Sequence, residues 1–393
     1  MSPVGRVLFL QRTLPPEVSA AGSLALDLAH GFAAAGWEAG MAAAIGRPDL
    51  PPDASGGCVE IRRAGRAGFD RASVASRALA LPAAFGGIFQ AGLSFPKPDL
   101  VISLSDPPLG VVLGAAVAAL WRARHLHWCQ DLYPETAAAA GILGASSPAF
   151  RLLRGISRAA MRSCDAVVVP GRCMARGLLP LRTRVVANWA RLPEIPPCPR
   201  PPGERFRILY SGNIGRAHEF GGVLGAARLL AGGPVEFVFC GRGPMAAGLV
   251  RAAAGLPNVS FHDPVDEGSL AAHLAACDAH LITLGTKFCG LVVPSKLYDS
   301  CLAGRPVLFA GPAESETALA IRGNSLGLAV PADDPRALAA AVGTLIADAA
   351  FRGACGENAR EFAARNRAGR AFAQFLLLAE QICSADGISQ KTS

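Results

Sequence analysis

From Phe206 onward, apolar runs of four to six residues alternate with helix-like segments at regular intervals, and no other feature constrains the fold as tightly. The pattern predicts strands at Phe206–Ser211, Val235–Cys240, Val259–His262, Ala279–Leu284 and Val307–Ala310. Helices are expected between them, near Phe220–Leu230, Met245–Ala254, Glu267–Cys277 and Ser295–Ala303. Short continuous apolar strands separated by helices are the mark of βαβ units, whose parallel sheet is buried on both faces. The N-terminal side repeats the theme less cleanly. Strand Val7–Gln11 leads to a helix at Ser23–Ala35 and a β-type run at Trp37–Ala44. Strand Leu100–Leu104, helix Gly110–Ala123 and strands His125–Cys129 and Ala166–Val169 follow.

Between the halves, Leu192–Glu204 packs six prolines into thirteen residues, which excludes both helix and sheet and reads as a linker. The expected organisation is an α/β chain with a first domain over residues 1–191, a linker over 192–204 and a second domain over 205–364. A closing helix over 365–383, with no strand to serve, is expected to pack back on the first domain, and residues 384–393 are expected to be a disordered tail. Two doubly wound halves of this kind would face a central cleft at the carboxyl ends of their sheets, where open α/β sheets bind ligands.

The 393 residues exceed one ordinary core, and 51% hydrophobic against 17% charged residues is ample for two. A formal charge of +8 suits an anionic partner. Nucleotides, lipid diphosphates, membrane surfaces and nucleic acids all qualify by charge, but the scarcity of aromatic residues argues against a nucleic acid. Eleven cysteines without a C-x-x-C pair read as small buried hydrophobes in a reducing compartment, with Cys164, Cys240, Cys277 and Cys289 in or beside apolar runs. Gln11 and Arg12 interrupt the first apolar run, so no signal peptide is expected and a cytoplasmic location follows. The longest apolar run, Pro107–Trp121, falls short of the roughly 20 residues that span a bilayer and is expected to be a buried helix. In contrast, Arg62, Arg63, Arg66, Arg71 and Arg77 precede the apolar stretch Leu79–Phe95, the pattern of a peripheral contact with an anionic membrane.

The chain has thirty-four arginines and only four lysines, and two of the lysines, Lys287 and Lys296, lie in Gly285–Val307. There a run ending in Pro294-Ser295-Lys296 opens a helix that is expected to begin near Pro294. Unpaired N–H groups of a first helical turn favour an anion, and the Lys296 ammonium would add a full charge. A phosphate site is the inference. Two glycine turns strengthen it, each directly after a strand and each with a cation: Gly212-Asn213-Ile214-Gly215-Arg216 and Gly241-Arg242-Gly243. Together with Lys287 and Lys296 they would converge on one sheet edge.

In the N-terminal half, strand His125–Cys129 runs into Gln130-Asp131-Leu132-Tyr133-Pro134-Glu135. His125 and His127 share a face, with His127 nearer the strand end where a cleft residue sits. Asp131 and Glu135 suit either a catalytic carboxylate or a helix cap. No H-E-x-x-H, D-x-D or comparable element appears, so no tightly bound metal is expected, and cationic side chains would stabilise a departing diphosphate instead.

The ordered segments LPPEVSAAGSLALDLAHGFAAAGW, DLVISLSDPP, HWCQDLYPE, YSGNIGRAHEF, FCGRGP and GLVVPSKLYDSCLAGRPVL resemble the glycosyltransferases of family 4, closest to the bacterial branch that builds cell-surface polysaccharides and modified lipids. The resemblance implies a GT-B fold, two Rossmann-like domains with the active site between them, and transfer from a nucleotide-sugar with retention. The nucleotide-sugar is a substrate and no cofactor is implied. A UDP-sugar donor and a lipid-linked or glycan acceptor are the expectation by this likeness. Pro264 and Val265 would lie under the base, and Asp299 would meet the ribose where the family commonly has glutamate. Gly290, Leu291 and Val292 would present N–H groups to the donor. Ser295 and Lys296 would hold the phosphates, and His127 would reach toward the donor sugar or the acceptor. Gly22 is the one glycine left of the family's N-terminal pair. Leu291 stands where the family has the first glutamate of E-x7-E, and Asn213 and Glu219 replace its usual arginine and lysine, leaving the diphosphate to Arg216 and Lys296. An epimerase acting on a nucleotide-sugar without an acceptor, and a non-catalytic anion or membrane binder on the same scaffold, are the alternative readings.

Overall fold

The computed structural model describes residues 3–15, 19–45, 57–66, 74–196 and 205–389, with the backbone alone at 65–66, 74–80 and 385–389. Two compact units divide the chain, Met1–Ala187 with Ala368–Ser393 and Asn188–Arg367.

The first unit runs β1 (Arg6–Leu10), α1 (Ala20–Ala34), β2 (Glu38–Ile45), β3 (Val59–Arg66), α2 (Val74–Leu93), β4 (Leu100–Leu104), α3 (Gly110–Trp121), β5 (Arg124–Trp128), α4 (Glu135–Ala139), α5 (Pro148–Arg162), β6 (Ala166–Val169), α6 (Arg172–Gly177) and β7 (Thr183–Val185). Its seven strands are parallel in the order β3-β2-β1-β4-β5-β6-β7. The second unit runs β8 (Phe206–Ser211), α7 (Gly221–Leu229), β9 (Val235–Cys240), α8 (Ala246–Ala252), β10 (Val259–His262), α9 (Glu267–Ala275), β11 (Ala279–Thr283), α10 (Lys296–Leu302), β12 (Val307–Ala310), α11 (Glu316–Gly323), β13 (Gly327–Val330), α12 (Pro335–Ala347) and α13 (Ala349–Arg365). Its six strands are parallel in the order β10-β9-β8-β11-β12-β13. The closing helix α14 (Ala368–Ser389) belongs to the first unit, where it packs on α1 and sets Phe375 edge-on to Trp128 at 5.0 Å.

Both sheets are doubly wound. In each, the strand order reverses beside the first strand of the unit, between β1 and β4 and between β8 and β11. Ligands in such sheets bind beyond the carboxyl ends of the strands at this reversal. The central strands are mostly apolar because helices cover both faces, and Ile208, Phe237, Phe239, Leu281 and Leu308 are buried in the second unit.

The unit boundary falls at Asn188, ahead of the proline cluster, because residues 188–196 dock on the second unit. Ala190 N–H donates to Asn366 O at 3.0 Å, Arg367 donates to Leu192 O, and Asp299 accepts from the N–H groups of Arg191 and Leu192 at 2.7 and 3.3 Å. Residues 197–204 of the expected linker lie outside the described residues. Helix α14 continues through Ser389, past the Ser384 start expected for a disordered tail, and residues 390–393 lie outside the described residues.

The stretch proposed for membrane contact packs differently from that expectation. Ala84, Ile88, Ala91 and Phe95 are buried against Leu8, Leu10 and Ala42, and none of the large apolar side chains described in α2 is exposed. Arg62 pairs with Glu60 and lies over the Phe95 ring at 4.4 Å, while Arg63 donates to Pro15 O. Arg71 lies outside the described residues, as do the side chains of Arg66 and Arg77. Among the described residues, no single helix is long and apolar enough to cross a membrane.

Candidate functional site

Because the second sheet is parallel, the segments after its strands emerge at one edge. That edge gathers Gly212–Arg216 after β8, Gly241–Gly243 after β9, Pro264 and Val265 after β10, and residues 287–296 after β11. The two glycine turns lie in backbone contact. Gly212, Gly241 and Gly243 have φ of 117°, 153° and 158°, and a Cβ on Gly241 would sit 1.9 Å from Gly212 O. Only residues without a side chain fit there.

The same packing uses N–H groups that the sequence suggested would face a ligand. Gly212 N–H donates to Cys240 O at 2.8 Å and Ile214 N–H to Arg242 O at 2.9 Å. Likewise Leu291 and Val292 donate to Phe288 O, leaving Gly290, at φ 73°, to turn the chain. The glycines hold the edge together before they hold anything else. Arg242 is engaged too, with both its Nε and a terminal nitrogen on Asp263 at 3.1 and 3.0 Å. Arg216 and Lys287 are exposed.

Lys296 is the cation most firmly placed. It opens α10, two residues later than the start expected near Pro294, with Ser295 as an N-cap that makes no side-chain cap bond. Its stem passes over Gly212, where a Cβ would meet Cε at 3.2 Å. The ammonium lies 3.6 Å from the centre of the Tyr210 ring and donates to Asn213 O at 3.2 Å. The Tyr210 hydroxyl donates to that carbonyl as well, at 2.7 Å. Among the described residues no carboxylate pairs with Lys296, and burial lowers its pKa well below the usual lysine value. A half-buried ammonium held by a ring face and a carbonyl lacks its counter-charge, which an anion at the strand-order reversal would supply.

His218, which sequence reasoning passed over, completes this corner. Its Nδ1 lies 2.8 Å from Thr283 O, and its ring stands edge-on to Tyr210 at 5.5 Å. Burial and the Lys296 charge lower its pKa to about 3. A histidine two residues beyond a glycine turn, in a chain holding seven, was the signal available. Asp299, expected at the ribose, has Oδ1 occupied by the Arg191 and Leu192 N–H groups.

The first unit has its own polar pocket at the ends of β4 and β5, lined by Ser105, Leu109, Gly110, His127, Asp131 and Tyr133 among others. His127 pairs in register with Ser103, whose hydroxyl bridges His127 Nδ1 at 2.9 Å and His125 Nε2 at 2.8 Å. Burial pushes His127 down to about 3 and His125 to about 4, so both are neutral at pH 7. Asp131 is raised to about 6 by burial and by Asp106. The Ser105 hydroxyl accepts from the Gln130 and Asp131 N–H groups and fixes the turn that carries this carboxylate. A neutral imidazole beside a carboxyl poised near neutrality suits binding and orienting a hydroxyl. Glu135 faces away from this task, bound to Arg154 and Arg158 at 3.2 and 2.9 Å. Gly22 lies at the start of α1, where its N–H donates to the Ser19 hydroxyl. The serines of VISLSDP, polar positions in an apolar run, marked the partners of His127 and Asp131 in the sequence.

Acid should open the second unit first. His218 and His280 are both held down to about 3, chiefly by burial, while the unfolded chain titrates near 6.5. Their contribution is complete above pH 6.5 and falls below it, by about 1.4 kcal/mol per pH unit for each, until the folded values are reached. In the first unit the raised values of Asp131 and Asp106 oppose the two histidines over part of this window. Pulse proteolysis in urea at pH 7.5 and 5.5 should show the second unit losing more stability; equal losses would contradict the assignment.

Among the described residues no cluster of three or more His, Cys, Asp or Glu is arranged to hold a metal ion. Comparison with known proteins places this architecture. The family model for glycosyl transferases group 1 matches residues 205–348. Probable glycosyltransferase WbjE of Pseudomonas aeruginosa is 29% identical over 257 residues, 61% of this chain and 64% of that one, so the match spans under two thirds of the relative. Sucrose-phosphate synthase from Thermosynechococcus elongatus superposes with a TM-score of 0.75 at 18% identity, covering 97% of this chain and 100% of that one. Anabaena HepE in complex with UDP and glucose gives 0.66 at 15% identity, covering 96% and 100%. The chain thus has the two-domain GT-B fold, and its residues 205–348 match the model for glycosyl transferases group 1.

Proposed function

We propose that the protein is a retaining glycosyltransferase that moves a hexosyl group from a UDP-sugar to a lipid-linked or cell-surface glycan acceptor, in the cytoplasm and without a metal or other cofactor. The observation that carries this reading is Lys296, an ammonium without a carboxylate partner among the described residues, fixed over Tyr210 and Asn213 O where the second sheet reverses its strand order. A diphosphate fits that position in charge and reach. Arg216 and Lys287, exposed on the flanking segments, would meet its outer oxygens, and Pro264 and Val265 beyond β10 would lie against the base. Anabaena HepE, of the same fold, has been solved with UDP, which favours that nucleotide. In the first unit, His127 and Asp131 would orient the acceptor hydroxyl or the transferred sugar.

Charge grows on the nucleoside diphosphate as the glycosidic bond breaks, and a preorganised cation in a partly dry site stabilises that charge without reorganisation. Calorimetric titration with UDP, GDP, ADP and CMP tests the proposal directly. UDP should bind at micromolar concentration and the others at least tenfold more weakly. Binding of none of the four would overturn the reading in favour of a non-catalytic scaffold.

A further inference from the structure

Behind the first unit's pocket runs a line of four buried polar side chains, His127, Ser103, His125 and Cys164. The Ser103 hydroxyl lies between the two imidazoles, 2.9 Å from His127 Nδ1 and 2.8 Å from His125 Nε2. A hydroxyl has one proton, so it donates to one ring and accepts from the other. Each ring is neutral at pH 7 and carries a single N–H. The two histidines must therefore share a tautomer: both hold the proton at Nδ1, or both hold it at Nε2.

Cys164 chooses between these arrangements. Its Sγ is 3.3 Å from His125 Nδ1, and its thiol donates to Ala160 O, four residues back on α5, also at 3.3 Å. With the thiol proton engaged there, the sulfur is left to accept, and His125 must carry its proton at Nδ1. Ser103 then donates to His125 Nε2 and accepts from His127 Nδ1. A hydrogen bond to the Ser103 backbone also favours a proton on the His127 ring. Helix α3 closes over this line at Gly114, where a Cβ would clash with His125 Nε2 and with Ser103 Cβ and Oγ. Every donor in the line is used, and the lone pair of His127 Nε2 is left for the pocket. The Asp131 carboxyl lines the same pocket and, with its pKa raised to about 6, is mostly ionised at pH 7. Two acceptors in one pocket suit a group that donates, such as a sugar hydroxyl, and disfavour a carboxylate or phosphate.

We propose that Ser103, braced by His125 and Cys164, is a positioning residue that holds His127 as its Nδ1–H tautomer, so that Nε2 meets the substrate as an acceptor for a hydroxyl. The part that hydroxyl plays in transfer rests on the glycosyltransferase reading above, whereas the tautomer does not.

Long-range proton–nitrogen-15 correlation spectra of protein labelled on its histidine rings test the assignment at pH 7.5. His127, identified by the signal missing from His127→Gln, should show a protonated Nδ1 and a bare Nε2. Ser103→Ala should convert it to a mixture of tautomers, because the other nitrogen's partner is what sets the proton's place. Cys164→Ala leaves Ser103 and the pocket lining in place and should still give a mixture at both His125 and His127. Cys164→Ser, able to donate to Ala160 O and accept from His125, should keep the wild-type pattern. In sugar transfer, Ser103→Ala should lower kcat by about tenfold, the worth of one oriented hydrogen bond, with little change in KM for the donor. Cys164→Ala should move kcat in the same direction and Cys164→Ser should restore it. The proposal fails if wild-type His127 carries its proton at Nε2, or if Cys164→Ala leaves both tautomers unchanged. It also fails if Ser103→Ala turns His127 into a mixture and keeps the wild-type kcat. The wild-type spectrum and the Cys164 pair decide the matter even where Ser103→Ala does not fold. Absence of UDP binding by the wild type would overturn the transferase reading instead, and the spectra would still decide the tautomer.

Discussion

Replacing Lys296 by alanine is expected to lower sugar transfer by about 100- to 1000-fold, the usual loss when one preorganised contact to developing charge is removed. Alanine removes two things together, the ammonium and the four-carbon stem that lies on Gly212 and Tyr210. Methionine separates them, because it keeps most of the apolar stem and loses the charge. If the ammonium acts on the diphosphate, Lys296→Met should be nearly as slow as Lys296→Ala and should bind UDP more weakly, while its Tm changes little. Burial already lowers the pKa of this lysine, so the folded protein gives up hydration of the ammonium before any ligand arrives. A diphosphate offsets that cost, and the methionine variant no longer carries it. Near-normal turnover in Lys296→Met would remove Lys296 from the mechanism and leave Arg216 and Lys287 as the phosphate contacts to test.

The sequence made Lys296 conspicuous through rarity, since an arginine-rich chain that places a lysine after a strand–loop has a chemical reason or none. It could not show that Asn213 O and the Tyr210 ring hold the ammonium, because those contacts span 83 residues and more and depend on the order of strands in the sheet. Five of the second unit's six strands were legible because they are short, mostly apolar runs set between helices, as buried parallel strands require, whereas the edge strand β13 was not expected. The edge strand β3 was not, because VEIRRAGR carries the charges that protect a sheet edge. Helix α5 escaped because four arginines and the exposed Leu152 and Ile156 break up the inward face made by Phe150, Leu153, Ser157 and Met161. Asp299 shows the limit for single residues. Its place in the motif suggested ribose binding, but its Oδ1 accepts from the N–H groups of Arg191 and Leu192, more than a hundred residues earlier.

The glycine turns make a second large effect predictable, from sterics alone. In Gly241→Ala the new methyl would stand 1.9 Å from Gly212 O and 2.9 Å from Gly212 C, both backbone atoms with no rotamer to yield. The position also has φ 153°, where an L side chain is strained whatever the space. The turn after β9 must therefore move away from the turn after β8, and the Gly212–Cys240 and Ile214–Arg242 backbone hydrogen bonds go with it. Loss of about 3 kcal/mol or more is expected from strain and two broken bonds together. The turn that carries Asn213 loses both hydrogen bonds that brace it, so the Asn213 O acceptor of Lys296 is no longer held and UDP affinity should fall by at least tenfold even in the fraction that stays folded. Gly248→Ala, on α8 with nothing within 4 Å of the added methyl, is the matched control and should leave both Tm and UDP binding at the wild-type level. Thermal unfolding and calorimetry on the two variants decide the matter. Equal behaviour of Gly241→Ala and Gly248→Ala would mean that the two turns do not bear on each other as the backbone contact requires, and the nucleotide edge would have to be assembled from other residues.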